Sequence, residues 1–310
     1  MNQSINPQGL FDHPSTLPDP DARSRLARLI GMEDQIRRLA NVLSILVNPE
    51  GVRRWQGKYH SDAVNLLEAV VRRPPLVVLS GDVGSGKTEL AETIGDKVAR
   101  QEDIEITLLP LSLSSRGQGR VGEMTQLVSS AFEYAFKVAN KYKSDKGRAR
   151  GGVILLVDEA DALAQSRESE QMHHEDRAGV NAFIRGVDRL ASSGVPAVVL
   201  MCTNRLNALD PAVRRRAADI LVFNRPDAKQ RMEVLSRQLS DAGFSNADLE
   251  TLVDITGQQP KRDYGFSYSD ITQRLLPAIV LDAYPDGPIL PARAIELARS
   301  IPPTAPFRDA

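Results

Sequence analysis

A glycine-rich segment near residue 80 has the residue types and spacing that bind phosphate. Residues 80–88 read Ser-Gly-Asp-Val-Gly-Ser-Gly-Lys-Thr, which fits the pattern G-x-x-x-x-G-K-[ST]. In such a loop, backbone N–H groups surround phosphate oxygens, a lysine reaches the β and γ phosphates, and a hydroxyl ligates Mg²⁺. The last two roles fall to Lys87 and Thr88. The predicted nucleotide contacts in this segment are Gly81, Asp82, Val83, Gly84, Ser85, Gly86, Lys87, Thr88 and Glu89.

Two carboxylates follow the strongest apolar run of the chain. The run 153–157 reads Val-Ile-Leu-Leu-Val, and Asp158 and Glu159 come directly after it. If the run is a strand, both carboxylates emerge at its carboxyl end, where open α/β sheets bind ligands. Asp158 is then predicted to hold Mg²⁺, and Glu159 to orient and deprotonate an attacking water. The alternative is an acidic cap at a helix N-terminus, which the helix dipole favours.

Polar and basic residues near the end of the next apolar strand extend the candidate site. Asn204 follows that strand and is a candidate sensor of the γ-phosphate; alternatively it caps a turn. Three arginines, 214–216, precede a further strand, and three adjacent arginines cannot all face one phosphate of their own subunit. Arg215 and Arg216 are therefore candidate arginine fingers, which would complete the site of a neighbouring subunit. The alternative is a solvated basic helix end.

Composition excludes several classes of protein. The 310 residues are 42% hydrophobic and 25% charged, as in ordinary globular proteins. The net charge is about −1, which gives no global attraction to nucleic acid or to an anionic membrane. A single cysteine, Cys202, excludes an internal disulfide framework. The absence of a signal-like N-terminus and of a long apolar stretch predicts a cytoplasmic location.

Alternating strands and helices predict an α/β fold with a helical C-terminal part. The expected architecture is a five-stranded parallel sheet sandwiched by helices, followed by a small all-α lid. The predicted strands are 76–80, 104–109, 153–157, 196–202 and 219–223. The predicted divisions are a flexible N-terminal arm at 1–23, a large α/β domain at 24–225, a lid at 226–302 and a flexible tail at 303–310.

These motifs, in this order and followed by a helical lid, resemble the AAA+ P-loop NTPases over roughly residues 25–300. The resemblance implies ATP and Mg²⁺ as cofactors. It also implies that Ile30 and Gly31 contact the adenine. Residues 265–271, Gly-Phe-Ser-Tyr-Ser-Asp-Ile, resemble the lid-helix start of the central AAA clade, which has no sensor arginine there.

The segment 205–220 resembles the arginine-finger segment of the pachytene-checkpoint family, whose members remodel HORMA-domain proteins. Alignment with that family places the finger at Arg216. In lacking a globular N-terminal domain, the sequence resembles the short bacterial members of the family that are encoded in CBASS antiphage operons. That resemblance implies a homohexamer, a HORMA-domain substrate and, through it, a cyclic-oligonucleotide synthase. It also places Arg120 where the family carries an aromatic residue that grips substrate in the central pore.

Two other functions remain open from the sequence. A nucleic-acid motor or loader on the same fold is favoured slightly by Arg116 and Arg120, but opposed by the neutral net charge and the absence of an appended DNA-binding motif. A nucleotide switch that hydrolyses ATP slowly is opposed by the Asp158-Glu159 pair and the candidate finger. Neither nucleic acid nor a membrane is the expected partner.

Overall fold

The computed structural model describes residues 9–113, 123–144, 149–163 and 174–306. These residues fall into two compact units. The first is drawn from Met1–Ala27, Asp34–Ser80 and Thr88–Val222, and the second from Arg28–Glu33, Gly81–Lys87 and Phe223–Ala310. The phosphate-loop segment 81–87 thus groups with the C-terminal helices, whereas Thr88 groups with the sheet.

The described strands form one six-stranded sheet in the order β1-β3-β4-β5-β2-β6. Their bounds are β1 Ser15–Leu17, β2 Leu76–Gly81, β3 Glu105–Ser112, β4 Gly151–Asp158, β5 Ala197–Thr203 and β6 Asp219–Phe223. The pairs β3–β4, β4–β5 and β2–β5 are parallel. β4 and β5 are apolar along nearly their whole length and buried, as expected of strands covered on both faces.

The prediction of five parallel strands was wrong in one respect, because β1 pairs antiparallel with β3 at the sheet edge. Residues from 9 onward, placed by sequence in a flexible arm, are ordered: Leu10 and Phe11 are buried, and Phe11 lies 5.4 Å from the ring of Tyr134. Burying these side chains offsets the entropy of ordering the segment. Pro14 and Pro18, which flank β1, are compatible with an edge strand, where fewer N–H groups are needed.

Helices surround this sheet and form the C-terminal part of the chain. In the first unit they are α1 Pro20–Leu26, α2 Glu33–Val47, α3 Pro49–Tyr59, α4 Val64–Val71, α5 Lys87–Glu102, α6 Glu123–Tyr142, α7 His174–Ser193 and α8 Pro211–Arg214. The first residues of α2 and α5, Glu33 and Lys87, belong to the second unit. In the second they are α9 Ala228–Leu239, α10 Asn246–Thr256, α11 Leu276–Ala283 and α12 Pro291–Ser300. Within the predicted lid, a π-helical segment, Asp270–Leu275, precedes α11. No described helix is long and apolar enough to cross a membrane.

The main core of the first unit lies between the sheet and helices α6 and α7. Phe132 and Phe183 meet there edge to face, with ring centroids 5.4 Å apart. Gly186 makes this approach possible, because a Cβ at that position would lie 2.3 Å from the Phe132 ring. The core fixes β4 and β5, whose carboxyl ends carry the predicted catalytic residues.

Candidate functional site

The phosphate loop of the second unit has the backbone that its glycines predict. Gly84 has φ +71°, and a Cβ there would lie 2.8 Å from the Ser267 hydroxyl oxygen. Gly81 has no room for a side chain either, because a Cβ would lie 2.0 Å from the Phe223 carbonyl oxygen. The Lys87 ammonium donates to the carbonyl oxygens of Gly81 and Asp82 at 2.9 and 2.8 Å. The lysine is therefore already held within the loop that it is predicted to serve.

Asp82 joins this loop to the residues that follow β6. Its carboxylate accepts a hydrogen bond from Arg225 at 2.6 Å, and both side chains are mostly buried. The same guanidinium donates to the Gly265 carbonyl oxygen at 2.6 Å and lies 5.0 Å from the Tyr264 ring. The Ser269 amide donates to the Gly84 carbonyl oxygen at 3.0 Å. The loop is thus fastened at both Asp82 and Gly84.

The predicted adenine-contacting residues lie beside the same loop. Ile30 is buried and Gly31 has φ +74°. The Gly31 carbonyl oxygen accepts a hydrogen bond from Gln230 at 2.6 Å and one from Tyr268 at 3.4 Å. Burial raises the pKa of Tyr268, as do the carboxylates of Asp227, Glu33 and Glu233, so its hydroxyl keeps its proton at neutral pH.

The predicted magnesium ligands Thr88 and Asp158 meet in the first unit. Burial raises the pKa of Asp158, and the nearby carboxylates of Glu159 and Glu92 raise it further. Hydrogen bonds from the Glu159 amide and the Thr88 hydroxyl oppose this shift without reversing it. A cation would relieve the cost of keeping this carboxylate charged. A hydroxyl and a carboxylate also fit Mg²⁺, which prefers oxygen ligands and keeps several waters.

Glu159 adopts a backbone conformation that is rare for a non-glycine residue. Its φ is +51°, and its amide donates to the Asp158 carboxylate at 2.8 Å. Its side chain is exposed. Strain of this kind concentrates at functional sites, where it aims a side chain. Here it occurs at the residue directly after β4.

Asn204 follows β5, which neighbours β4 with Val157 opposite Met201. Its amide nitrogen Nδ2 donates to Asp161 at 3.2 Å. Asp161 was not among the predicted site residues, although its position three residues after Asp158 could have indicated it. Asn204 and the carboxylates of β4 therefore lie at the ends of adjacent parallel strands, as the sequence predicted for this edge.

Glu89 and Arg216 have side-chain partners within the first unit. Glu89 binds Arg25 through two hydrogen bonds of 2.8 and 2.9 Å, so a structural role accounts for its side chain. Arg216 binds Asp188 of α7 through two hydrogen bonds of 2.7 and 3.0 Å, whereas Arg215 is exposed. The predicted pore position Arg120 lies outside the described residues.

Similarity to known proteins identifies the family. Residues 77–225 match the model of the AAA family, the ATPases associated with various cellular activities. CD-NTase-associated protein 6 of Escherichia coli strain MS 115-1 is 57% identical over 309 residues, which cover 100% of this chain and 99% of the relative. The chain belongs to the CD-NTase-associated protein 6 family of AAA ATPases. The predicted AAA+ fold and the binding of a nucleotide are thereby confirmed.

Another protein of this family and two solved structures match nearly the whole chain. CD-NTase-associated protein 6 from E. coli strain KTE188 is 35% identical over 306 residues, 98% of this chain and 100% of the relative. A chain of the E. coli MS115-1 HORMA:CdnC:Trip13 complex is 56% identical, with a TM-score of 0.91, and covers 98% of this chain and 99% of its own length. Rhizobiales Trip13 is 53% identical, with a TM-score of 0.77, over 96% of this chain and 100% of its own. The resemblance to the pachytene-checkpoint family is confirmed.

Proposed function

We propose that this ATPase is a homohexameric remodeller of a HORMA-domain protein. By converting or disassembling its partner's complex, it would restrain a CBASS cyclic-oligonucleotide synthase in antiphage defence. The observation that carries the proposal is the match over 98% of the chain to a subunit of the HORMA:CdnC:Trip13 complex. The names of the relatives, which associate them with a CD-NTase, support the same system.

The residues of this chain divide the work of hydrolysis between binding and activation. The loop amides and Lys87 bind the β and γ phosphates, which requires the ammonium to exchange its carbonyl partners for phosphate oxygens. Glu159 accepts the proton of the attacking water, and Asn204 orients that water. Thr88 and Asp158 would hold Mg²⁺, which neutralises the charge on the phosphates when it is bound.

The large ATPase domain at 24–225 and the lid at 226–302 remain part of this proposal. Support comes from the attachment of the phosphate loop to Arg225 and Ser269, because a change in the C-terminal helices would be transmitted to Asp82 and Gly84. Such coupling is how a nucleotide cycle is converted into movement. The cytoplasmic location stays a prediction.

The test is partner capture by a Glu159→Gln variant. We expect this variant to bind ATP normally and to hydrolyse it about 10²- to 10⁴-fold more slowly, because one positioned general base is lost. Purified with ATP from the native cell, it should retain a HORMA-domain protein, identified by mass spectrometry. Release of that partner on ADP exchange would complete the assignment.

A Glu250→Gln variant is the matched control, since it makes the same change at an exposed position of α10. It should hydrolyse ATP like the wild type and accumulate no partner. Near-normal turnover by Glu159→Gln would contradict the role of Glu159. Capture of DNA in place of a HORMA-domain protein would instead favour a nucleic-acid motor.

A further inference from the structure

One carboxylate fixes the ends of two neighbouring strands in the first unit. Asp161 lies in a single 3₁₀ turn, Ala160–Leu163, that directly follows β4 and Glu159. Its Oδ1 accepts hydrogen bonds from the Thr203 hydroxyl at 2.6 Å and from the main-chain N–H of Asn204 at 3.1 Å. Its Oδ2 accepts one from Asn204 Nδ2 at 3.2 Å. Asp161 thus binds the main chain and the side chain of Asn204 simultaneously.

The chemistry of these groups determines which way the Asn204 amide faces. An ionised carboxylate can only accept hydrogen bonds, so the Nδ2 donor of Asn204 must face Asp161. The carbonyl oxygen Oδ1 of the same amide must then face away from it. Thr203 reinforces this arrangement, because its hydroxyl donates to Asp161 while accepting from the Arg205 amide at 3.1 Å. Thr203 is almost completely buried, which protects the network from water.

We propose that Asp161 is a positioning residue for ATP hydrolysis. It holds the side chain of Asn204 so that Oδ1 of Asn204, and not Nδ2, faces the attacking water and accepts a hydrogen bond from it. The inference rests on the proposed role of Asn204 in that reaction. An acceptor at this position complements Glu159, because two acceptors can bind both hydrogens of the water and direct an oxygen lone pair towards the phosphorus. A donor there would compete for that lone pair.

The test is the nearly isosteric substitution Asp161→Asn. Its amide can still accept from Thr203 through one atom, but it presents a donor to Asn204. Asn204 would then turn its oxygen towards residue 161 and its nitrogen outward. We expect kcat to fall about 100-fold, the order that misplacement of a positioning group produces, with an unchanged Kd for ATP. Asp161→Ala removes the acceptor without imposing the flip, so its kcat should fall less.

That order of effects separates positioning from support of the fold. A structural role predicts that Ala, which leaves a hole and unpaired donors, is worse than Asn. Positioning predicts the reverse, and it also predicts that Asp161→Asn has no further effect on kcat in an Asn204→Ala background. The matched control is Asp96→Asn in α5, a buried carboxylate that accepts from the Asp19 amide and from Arg100. It should lower the thermal midpoint while leaving the kcat of the folded protein unchanged.

Three results would overturn the inference: wild-type kcat in Asp161→Asn, a larger loss in Asp161→Ala, or additive losses in the double variant. Glu159→Gln, assayed in parallel, distinguishes this failure from failure of the proposed function. If Glu159→Gln stops hydrolysis while Asp161→Asn does not, only the role of Asp161 is wrong. If neither variant affects hydrolysis, the reaction assigned to this edge is wrong as well.

Discussion

At the scale of single residues, the phosphate loop is organised around the side chain of Lys87. Its ammonium is buried and donates to two main-chain carbonyl oxygens, the partners that phosphate oxygens would replace. Hydrogen bonds to a charged group contribute about 1.5–3 kcal/mol each. Loss of two such bonds to ATP should therefore weaken binding at least about 100-fold, since 1.4 kcal/mol is a factor of ten.

We accordingly expect Lys87→Ala to lose ATP affinity at least about 100-fold, measured by calorimetry or by a fluorescent ATP analogue. The control is Lys97→Ala, which removes an exposed ammonium from the same helix and should leave the affinity unchanged. An unaltered Kd in Lys87→Ala would show that the loop binds something other than the nucleotide phosphates.

Sequence could predict the loop residues because the motif is contiguous, and each glycine implies a local backbone conformation. The same is true of Asp158 and Glu159, which follow one apolar run. It could not predict that Gln230 and Tyr268 bind the Gly31 carbonyl, since they lie 199 and 237 residues from it and neither has a characteristic spacing. Contacts of this kind depend on the fold alone.

At the scale of elements, a buried carboxylate holds the π-helical segment Asp270–Leu275 to the residues that follow α12. Asp270 accepts hydrogen bonds from the Ser267 amide at 2.9 Å, Arg274 at 2.8 Å and the Thr304 hydroxyl at 2.7 Å. Burial by itself would raise the pKa of Asp270, but the hydrogen bonds from Ser267, Thr304 and Arg274 outweigh it and lower the pKa. The tail predicted to be flexible from residue 303 is therefore attached through Thr304.

This shift predicts how stability depends on pH. A carboxyl whose folded-state pKa is lowered stabilises the fold above its unfolded pKa of about 3.9, and the contribution is lost as the pH falls through the folded value. We expect Asp270→Asn to lower the free energy of unfolding in urea by about 1–3 kcal/mol at pH 7, with the difference from wild type shrinking as the pH falls below about 4. Asp286→Asn, at an exposed position, should show neither effect. A difference that grows towards acid pH would reverse the assigned sign.

Two of the elements that sequence failed to predict, β1 and α3, bury few side chains. β1 has only three residues, and its Leu17 is its one buried side chain. Helix α3 has no buried residue at all, so no apolar face marked it. Strands β4 and β5, in contrast, are continuous apolar runs that bury nearly every residue, and their prediction followed directly from the sequence.

At the scale of the whole molecule, the proposed ring requires an arginine of one subunit to act at the site of its neighbour. Arg216 is held by Asp188 of its own chain and donates to the Ala212 carbonyl oxygen, so its guanidinium has a fixed orientation. The bond to Asp188 is the principal reason that the pKa of Arg216 is raised. Arg215 is exposed, and no described carboxylate pairs with it as Asp188 pairs with Arg216. We favour Arg216 as the finger, because a preorganised guanidinium loses less entropy when it meets a phosphate.

If the finger acts between subunits, two inactive variants should restore each other. An Arg216→Ala subunit keeps an intact Glu159 but supplies no finger, whereas a Glu159→Gln subunit supplies the finger but cannot activate water. Each variant alone should hydrolyse ATP at least about 100-fold more slowly than the wild type, because a finger contributes 10³–10⁵ in kcat and a general base 10²–10⁴.

Mixed rings of the two should recover a substantial fraction of wild-type turnover, because some Arg216→Ala sites will adjoin a Glu159→Gln neighbour. The same experiment with Arg215→Ala in place of Arg216→Ala tests the choice of finger: if Arg216 carries the role, Arg215→Ala alone should retain turnover. Mixtures that stay inactive at every ratio, although both variants bind ATP and assemble, would place the arginine within its own subunit's site. The ring would then not be needed to complete catalysis, and its role would be limited to acting on the partner.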